Sequence, residues 1–122
     1  MLEPLQACDF TITELDGLTG LAEYRNGGLF VDAGVLVPRE NAASVSIQEP
    51  SARLIVEWRA LTVALLDEIA VGVCEEMDLD ATSLPLASVL EGGTWAAGRR
   101  VAAVRRQDNG PPLQIVSDGM VF

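Results

Sequence analysis

The amino-acid sequence predicts a single, mainly helical α+β domain that spans residues 1–122. Its composition, 49% hydrophobic and 21% charged, is typical of a chain that folds around one core. The stretch "SARLIVEWRALTVALLDEIAVGVCEEM" is the longest regular one and predicts a central helix over about 51–77. Short apolar runs interrupted by Gly, Asp and Pro predict two small β-hairpins, over about 29–38 and 113–122.

The first predicted helix covers about 11–25, "TITELDGLTGLAEYR", and we expect it to end at "NGG" because Asn-Gly-Gly breaks helices. The next run, "LFVDAGVLVPRE", has two apolar triplets separated by Asp-Ala-Gly. This pattern favours the hairpin at about 29–38, closed by Pro38.

The central helix begins at Ser51, a favourable N-cap. At 100° per residue, its predicted exposed stripe consists of Glu57, Ala64, Glu68, Val71 and Glu75. Arg59 falls instead on an apolar stripe with Ile55 and Leu66. A guanidinium there requires a partner or a cavity, so Arg59 is predicted either to form a structural ion pair or to bind a substrate.

Two further helices are predicted over about 83–90 and 94–106, separated by a hinge at "EGG". Thr94 is the expected cap of the second, whose N-terminus would then suit an anion. Trp95 and the arginines of this helix have two interpretations, core packing with surface charge or ligand contact. The terminal "PPLQIVSDGMVF" places an Asp-Gly turn between two short apolar runs, which predicts the hairpin at about 113–122.

Composition and charge exclude several kinds of function. The net charge of −10 argues against a nucleic-acid or anionic-membrane surface, which would need a basic patch. All basic residues are arginine, so no lysine forms a Schiff base, and no histidine serves as base or metal ligand. Cys8 and Cys74 lack zinc-site spacing, and we predict neither a metal nor a cofactor. The absence of a signal-like start or a long apolar run predicts a cytoplasmic protein.

The pattern Glu-aromatic-Arg occurs twice, at residues 23–25 and 57–59. On a helix, each triplet directs its acid and its base to opposite sides, so an acid of one can face an arginine of the other. If the triplets meet near Asp32, the resulting carboxylates and guanidiniums suit a phosphorylated sugar. A carboxylate there would stabilise an oxocarbenium-like state and orient water.

Four segments in the same order, "EYRNGGLFVDAGVL", "VEWRALTVALLDEIA", "LPLASVLEGGTWAAGRR" and "PPLQIVSDGMVF", resemble the carboxy-terminal part of the uracil-catabolism protein family. The resemblance extends from about Leu15 to Phe122 and implies an enzyme that releases urea from a ribosyl-urea product of ring opening. A weaker similarity, in "LAEYR" and "VEWRA", is to the queuosine nucleotide N-glycosidases. It implies that Glu23 is an acid near the ribose and that Arg25, Glu57 and Arg59 are its neighbours.

We therefore predict an N-ribosyl hydrolase or part of one. Its candidate catalytic carboxylates are Glu23, Asp32 and Glu57, and its candidate substrate-binding residues are Arg25, Arg59, Trp95 and Arg99. The alternative is a non-catalytic module that binds a sugar phosphate or associates through the apolar face of the long helix, either with a second copy or with a missing N-terminal partner. An unrelated acidic scaffold protein is the third hypothesis.

Overall fold

The computed structural model describes residues 2–39 and 47–116, and the regular elements of these residues are helical. Two non-α segments lie between the helices, a 3₁₀ turn at Leu15–Gly17 and a π-helix at Val89–Trp95. The α-helices are α1 (Leu2–Ala7), α2 (Tyr24–Asp32), α3 (Arg53–Met77), α4 (Leu86–Ser88) and α5 (Ala96–Arg105). Among the described residues, no helix has both the length and the apolar content that a membrane span requires.

The predicted α+β class is wrong, because the described residues form helices and no strand. Backbone pairing between separate segments is limited there to one isolated parallel bridge between Gln48 and Ile115. The amide of Gln48 donates to the carbonyl of Gln114 at 2.8 Å, and the amide of Val116 donates to Gln48 at 2.8 Å. The predicted hairpin at 113–122 falls partly on residues 117–122, which lie outside the described residues.

The predicted hairpin at 29–38 is also wrong, because its first apolar triplet continues helix α2 to Asp32. Phe30 is buried from within that helix, and the chain then turns at Gly34, whose φ of +76° favours glycine. The amide of Leu36 donates back to the carbonyl of Phe30 at 3.0 Å, which closes the turn. The apolar run therefore serves a helix that is buried around much of its circumference, and a short run of this kind does not distinguish helix from strand.

The predicted helix at 11–25 is wrong in both of its limits. Residues 11–23 are irregular except for the 3₁₀ turn, and α2 begins at Tyr24, where the sequence predicts a helix end. "NGG" does not end a helix, because Asn26, Gly27 and Gly28 are buried inside α2. Glycine costs a helix only about 1 kcal/mol relative to alanine. Burial against neighbouring elements outweighs that cost here.

Gly27 shows how this packing works. A Cβ at Gly27 would lie 2.6 Å from Oγ1 of Thr62 and 2.9 Å from Nε1 of Trp58 on α3. The missing side chain lets α3 approach closely enough for Nε1 of the buried Trp58 to donate to the carbonyl of Gly27 at 3.0 Å. On its other side, Gly28 lies against the ring of Pro112. Helix α2 is thus packed between α3 and the segment that follows α5.

The long central helix is confirmed as α3, residues Arg53–Met77. Its predicted exposed stripe is exposed in the structure. The opposite side is buried, and the core centres on Ile55 and Trp58 of α3 together with Leu113. After α3, the carboxylate of Asp80 accepts from the amide of Ser83 at 2.7 Å, and this hydrogen bond lowers the pKa of Asp80 below its ordinary value.

The two predicted helices at 83–90 and 94–106 form a single helical path from Leu86 to Arg105. "EGG" lies within the π-helix and is not a hinge, and Thr94 is buried inside the path, so it does not cap a helix N-terminus. The expected anion site at that N-terminus is therefore absent. Oγ1 of Thr94 donates to the side-chain oxygen of Asn26 at 2.9 Å and approaches the carbonyl of Leu90 at 3.5 Å. The wider π-helical turn brings Thr94 to α2, and such turns occur often at functional sites.

Helices α2 and α5 pack in close backbone contact. A Cβ at Gly98 would overlap the carbonyl oxygen of Arg25. Since the obstacle is main chain inside a helix, it has no rotamer with which to move aside.

Gly98→Ala should therefore lower the free energy of unfolding by about 1–3 kcal/mol through overpacking. Chemical denaturation followed by far-UV circular dichroism measures this change. The matched control is Gly72→Ala in α3, where nothing lies within 4 Å of the added Cβ. It should raise stability by about 0.5–1 kcal/mol. Equal effects of the two substitutions would contradict the packing described here.

Candidate functional site

Four predicted site residues come together where the N-terminus of α2 meets the start of α5. The guanidinium carbon of Arg25 lies 4.5 Å from the centroid of the Tyr24 ring and 5.3 Å from that of Trp95. The guanidinium carbon of Arg99 lies 4.8 Å from the Trp95 ring, one helical turn after it. We call Tyr24, Arg25, Trp95 and Arg99 the arginine–aromatic cluster, and Glu23 borders it.

Glu23 holds the cluster at the helix terminus. It is the N-cap of α2, and its Oε2 accepts from the amide of Arg25 at 2.9 Å. Its Oε1 lies 3.3 Å from a guanidinium nitrogen of Arg25. Glu23 is 8% exposed, so most of its surface is used in these contacts. The carboxylate thereby favours the N-terminus of α2 and orients the guanidinium.

The cluster is locally cationic in a strongly acidic protein. Two guanidiniums share the ring of Trp95, while Glu23 is paired with only one of them, Arg25. The side chain of Arg25 is 31% exposed, and Arg99 is exposed. Guanidiniums bind phosphate and carboxylate groups through paired hydrogen bonds, and aromatic faces support them. The arrangement can therefore bind a small anion at the protein surface.

A buried hydrogen bond positions the two halves of the cluster. Thr94 precedes Trp95, Asn26 follows Arg25, and the bond between their side chains is 2.9 Å long. Both residues are buried. Loss of either side chain would leave a polar group without its partner, so this bond fixes the π-helix against α2 directly behind the arginines.

Asp32 lies at the other end of α2, in a bidentate ion pair. Its two oxygens accept from Arg106 at 2.7 and 2.6 Å, and Nε of Arg106 donates to the carbonyl of Gly110 at 2.7 Å. The hydrogen bonds to Asp32 raise the pKa of Arg106 above its ordinary value. The pair joins α2, α5 and the loop after α5, and this contact gives Asp32 a structural role.

The crevice between α2 and α5 runs beside this ion pair and is closed. Residues of both helices and of the loop line it, including Tyr24, Gly28, Gly98, Arg106 and Pro112, and it has no room for a water molecule. Any ligand of the arginine–aromatic cluster would therefore bind outside the crevice, on the exposed side of the cluster.

Glu57 and Arg59 lie elsewhere, on α3, and both residues are exposed. Oε1 of Glu57 accepts from Nε of Arg53 at 2.7 Å, one turn earlier on the same helix. Arg59 was expected to point inward, but α2 packs on the side of α3 that carries Trp58 and Thr62, and Arg59 is left exposed. Glu23 and Glu57 do not form the predicted crosswise pairs between the two triplets, because each carboxylate pairs with an arginine of its own segment.

The sequence did not single out four residues that build this region: Tyr24, Asn26, Thr94 as a contact to α2, and Arg106. Tyr24 could have been identified from the sequence, because it is the aromatic member of the first Glu-aromatic-Arg triplet. Asn26–Thr94 and Asp32–Arg106 join positions 68 and 74 residues apart, and no local pattern reports such pairs. In residues 2–39 and 47–116, no group of three or more Cys, Asp or Glu side chains is arranged to hold a metal ion.

The fold and the site define a small helical domain that presents two arginines on aromatic rings beside a carboxylate. The chain belongs to the protein family of unknown function DUF1688, which matches residues 1–122. This family match, together with two relatives, confirms the resemblance to the uracil-catabolism proteins. The chain is 41% identical over 140 residues to "Uracil catabolism protein 4" of Lachancea kluyveri, covering 100% of this chain and 31% of the relative. It is 49% identical over 107 residues to "Protein urg3" of Schizosaccharomyces pombe, covering 86% and 27%.

The chain thus spans less than a third of the length of each of these two relatives. No solved structure matches it.

Asp32→Asn should destabilise the fold by about 2–3 kcal/mol, because Arg106 would lose a charged partner in a partly buried setting. Urea unfolding of the purified chain measures the loss. Asp67→Asn is the control, since Asp67 is exposed on α3, and it should change stability by less than about 0.5 kcal/mol. An Asp32→Asn protein as stable as the wild type would show that the ion pair does not hold α2 to α5.

Proposed function

We propose that this chain acts in uracil catabolism and supplies the sugar-phosphate-binding surface of an N-ribosyl hydrolase that releases urea from a ribosyl-urea nucleotide. The name of the Lachancea kluyveri relative supports the pathway. The observation that carries the binding surface is the arginine–aromatic cluster with Glu23 beside it. Because the chain spans less than a third of each of these relatives, the proposal assigns it a surface and leaves the rest of the active site to the longer protein.

In this proposal Arg25 and Arg99 bind the phosphate, and the ring of Trp95 holds both guanidiniums in place. Two guanidiniums on one support suit a dianion, whose oxygens accept from both. A phosphate on Arg25 competes with Glu23 for the same guanidinium, since the two side chains are only 3.3 Å apart. Binding of the substrate therefore draws Arg25 toward the phosphate and frees an oxygen of Glu23.

The freed carboxylate suits the chemistry at the sugar. Hydrolysis breaks the bond between ribose C1 and the urea nitrogen, water supplies the new oxygen on C1, and urea leaves with a proton. A carboxylate beside C1 stabilises the positive charge that develops on the ring and orients the attacking water. The proposal gives this role to Glu23, because Glu23 lies beside the guanidinium of Arg25. Asp32 is held by Arg106 and Glu57 lies on the exposed side of α3, so neither has a step in this mechanism.

A second candidate, a binding module without catalysis, is favoured by the closed crevice. The cluster opens onto the surface, and the space behind it has no room for water. A ligand bound at the cluster therefore stays in contact with solvent. Solvent weakens the electrostatic stabilisation that hydrolysis of an N-glycosidic bond requires.

Binding of the sugar phosphate should depend on Arg99 and not on its neighbour. In a titration of the purified chain with ribosyl-urea 5-phosphate, followed by two-dimensional amide NMR, Arg99→Ala should weaken affinity about tenfold, or about 1.4 kcal/mol. Arg100→Ala is the control, an exposed arginine on the same helix without the Trp95 contact, and should change affinity less than about twofold.

Ribose 5-phosphate should give a similar pattern of shifts if the phosphate dominates recognition. An absence of shifts at residues 23–25 and 95–99 with both ligands would overturn the binding surface. The hydrolase would be supported if the chain releases urea and if Glu23→Gln abolishes this release while the ligand-induced shifts are retained. Binding without urea release would support the second candidate.

A further inference from the structure

A second surface lies on the C-terminal half of α3, and it does not include the arginine–aromatic cluster. It is an open, mainly apolar groove of about 630 Å³. Side chains and one glycine of α3 form most of it, and residues from α2 and the turn after it complete it: Phe30, Val35, Leu65, Glu68, Ile69, Gly72, Val73, Glu75, Glu76 and Met77. Val35 and Met77 are each more than half exposed. Apolar surface left open in this way is typical of a binding site for another protein segment.

The lining of the groove is also acidic. Glu68, Glu75 and Glu76 border it, and α3 has no basic residue from position 60 to its end at Met77. Two of these acids occupy the last turn of the helix, where the helix dipole already concentrates negative potential. Acids at that end destabilise a helix on their own, so positive side chains from a partner would be favoured twice, by the carboxylates and by the dipole.

Gly72 has no role in the packing of the described residues. It lies near the C-terminal end of α3 among the residues that line the groove, and a Cβ at this position would meet nothing within 4 Å. Glycine inside a helix is less favourable than alanine, and Gly27 and Gly98 offset that cost by close contact with a neighbour. A partner backbone that packs closely against Gly72 would offset the cost of this glycine in the same way.

We propose that the groove binds an amphipathic helix with an apolar face and flanking arginine or lysine residues, contributed by the part of the family protein that this chain does not span. The matched region is less than a third of each relative, so these proteins contain ample further chain to supply such a helix. In this proposal the apolar lining residues contact the apolar face of the bound helix, the glutamates of the lining pair with its basic flanks, and Gly72 permits its backbone to approach closely. A second copy fits less well, since each copy carries a net charge of −10.

The test supplies the missing part as a separate polypeptide, namely the portion of the Lachancea kluyveri relative outside the matched region, co-expressed with this chain. The two should co-purify, with an affinity that falls as ionic strength rises. Val73→Asp should weaken the complex at least about tenfold. The control Val71→Asp makes the same change on the same helix, about 200° away at a position that is 58% exposed and outside the groove, and should have little effect.

Gly72→Ala separates docking from folding. It should raise the thermal unfolding midpoint of the isolated chain, because alanine favours the helix and meets no neighbour. It should weaken the complex at least about tenfold, because the new methyl group prevents the close approach of the partner helix at this position. A position that matters only for folding would not give these opposite signs.

Three results would overturn the proposal. The first is failure of the two polypeptides to associate, and the second is a complex that is insensitive to both Val73→Asp and Gly72→Ala. The third is a concentration-dependent dimer of the chain alone, seen by sedimentation and abolished by Val73→Asp, which would make a second copy the occupant. The proposal does not depend on the sugar-phosphate surface, since no residue of the arginine–aromatic cluster lines the groove.

Discussion

The close approach of helix α2 to α3 and α5 is the constraint on which the rest of this structure depends. Gly27 and Gly98 permit it, because side chains at these positions would overlap Trp58 and Thr62 in one case and the backbone of Arg25 in the other. The hydrogen bond from the buried indole of Trp58 to the carbonyl of Gly27 is possible only at this distance. A core of few large side chains is thereby packed densely enough to hold a short helix at its centre.

The candidate site follows from the same contact. With α2 against α5, Arg25 comes to the ring of Trp95, and Arg99 reaches that ring from one turn further along α5. The π-helix supplies the remaining adjustment, because it brings Thr94 to Asn26 within the helical path and needs no break there. The position of the arginines is set by buried groups behind them, and supporting contacts of this kind hold a surface cluster in one arrangement.

Prediction from the sequence succeeded where one local pattern was long enough to decide. Helix α3 and its exposed stripe follow from amphipathic spacing over 25 residues. Glu23, Arg25, Trp95 and Arg99 were chosen by residue type and by resemblance, and the fold brings them together. The prediction failed at "NGG" and "EGG", where glycines were interpreted as breakers. At "NGG", the low helix propensity of glycine is a small cost that the buried contacts of Gly27 and Gly28 exceed, and those contacts involve residues far away in the chain.

By itself, the sequence determined the long helix, the acidic character, the absence of lysine and histidine chemistry, and the membership of a family, since each of these resides in local pattern or composition. Only the tertiary structure decided which carboxylate accompanies the arginines. Asp32 pairs with Arg106 across 74 positions, Glu57 turns outward with Arg53, and Glu23 remains beside Arg25. The physical reason is that packing between distant segments decides whether a carboxylate pairs across the fold, as Asp32 does, or keeps an arginine of its own segment, as Glu23 and Glu57 do.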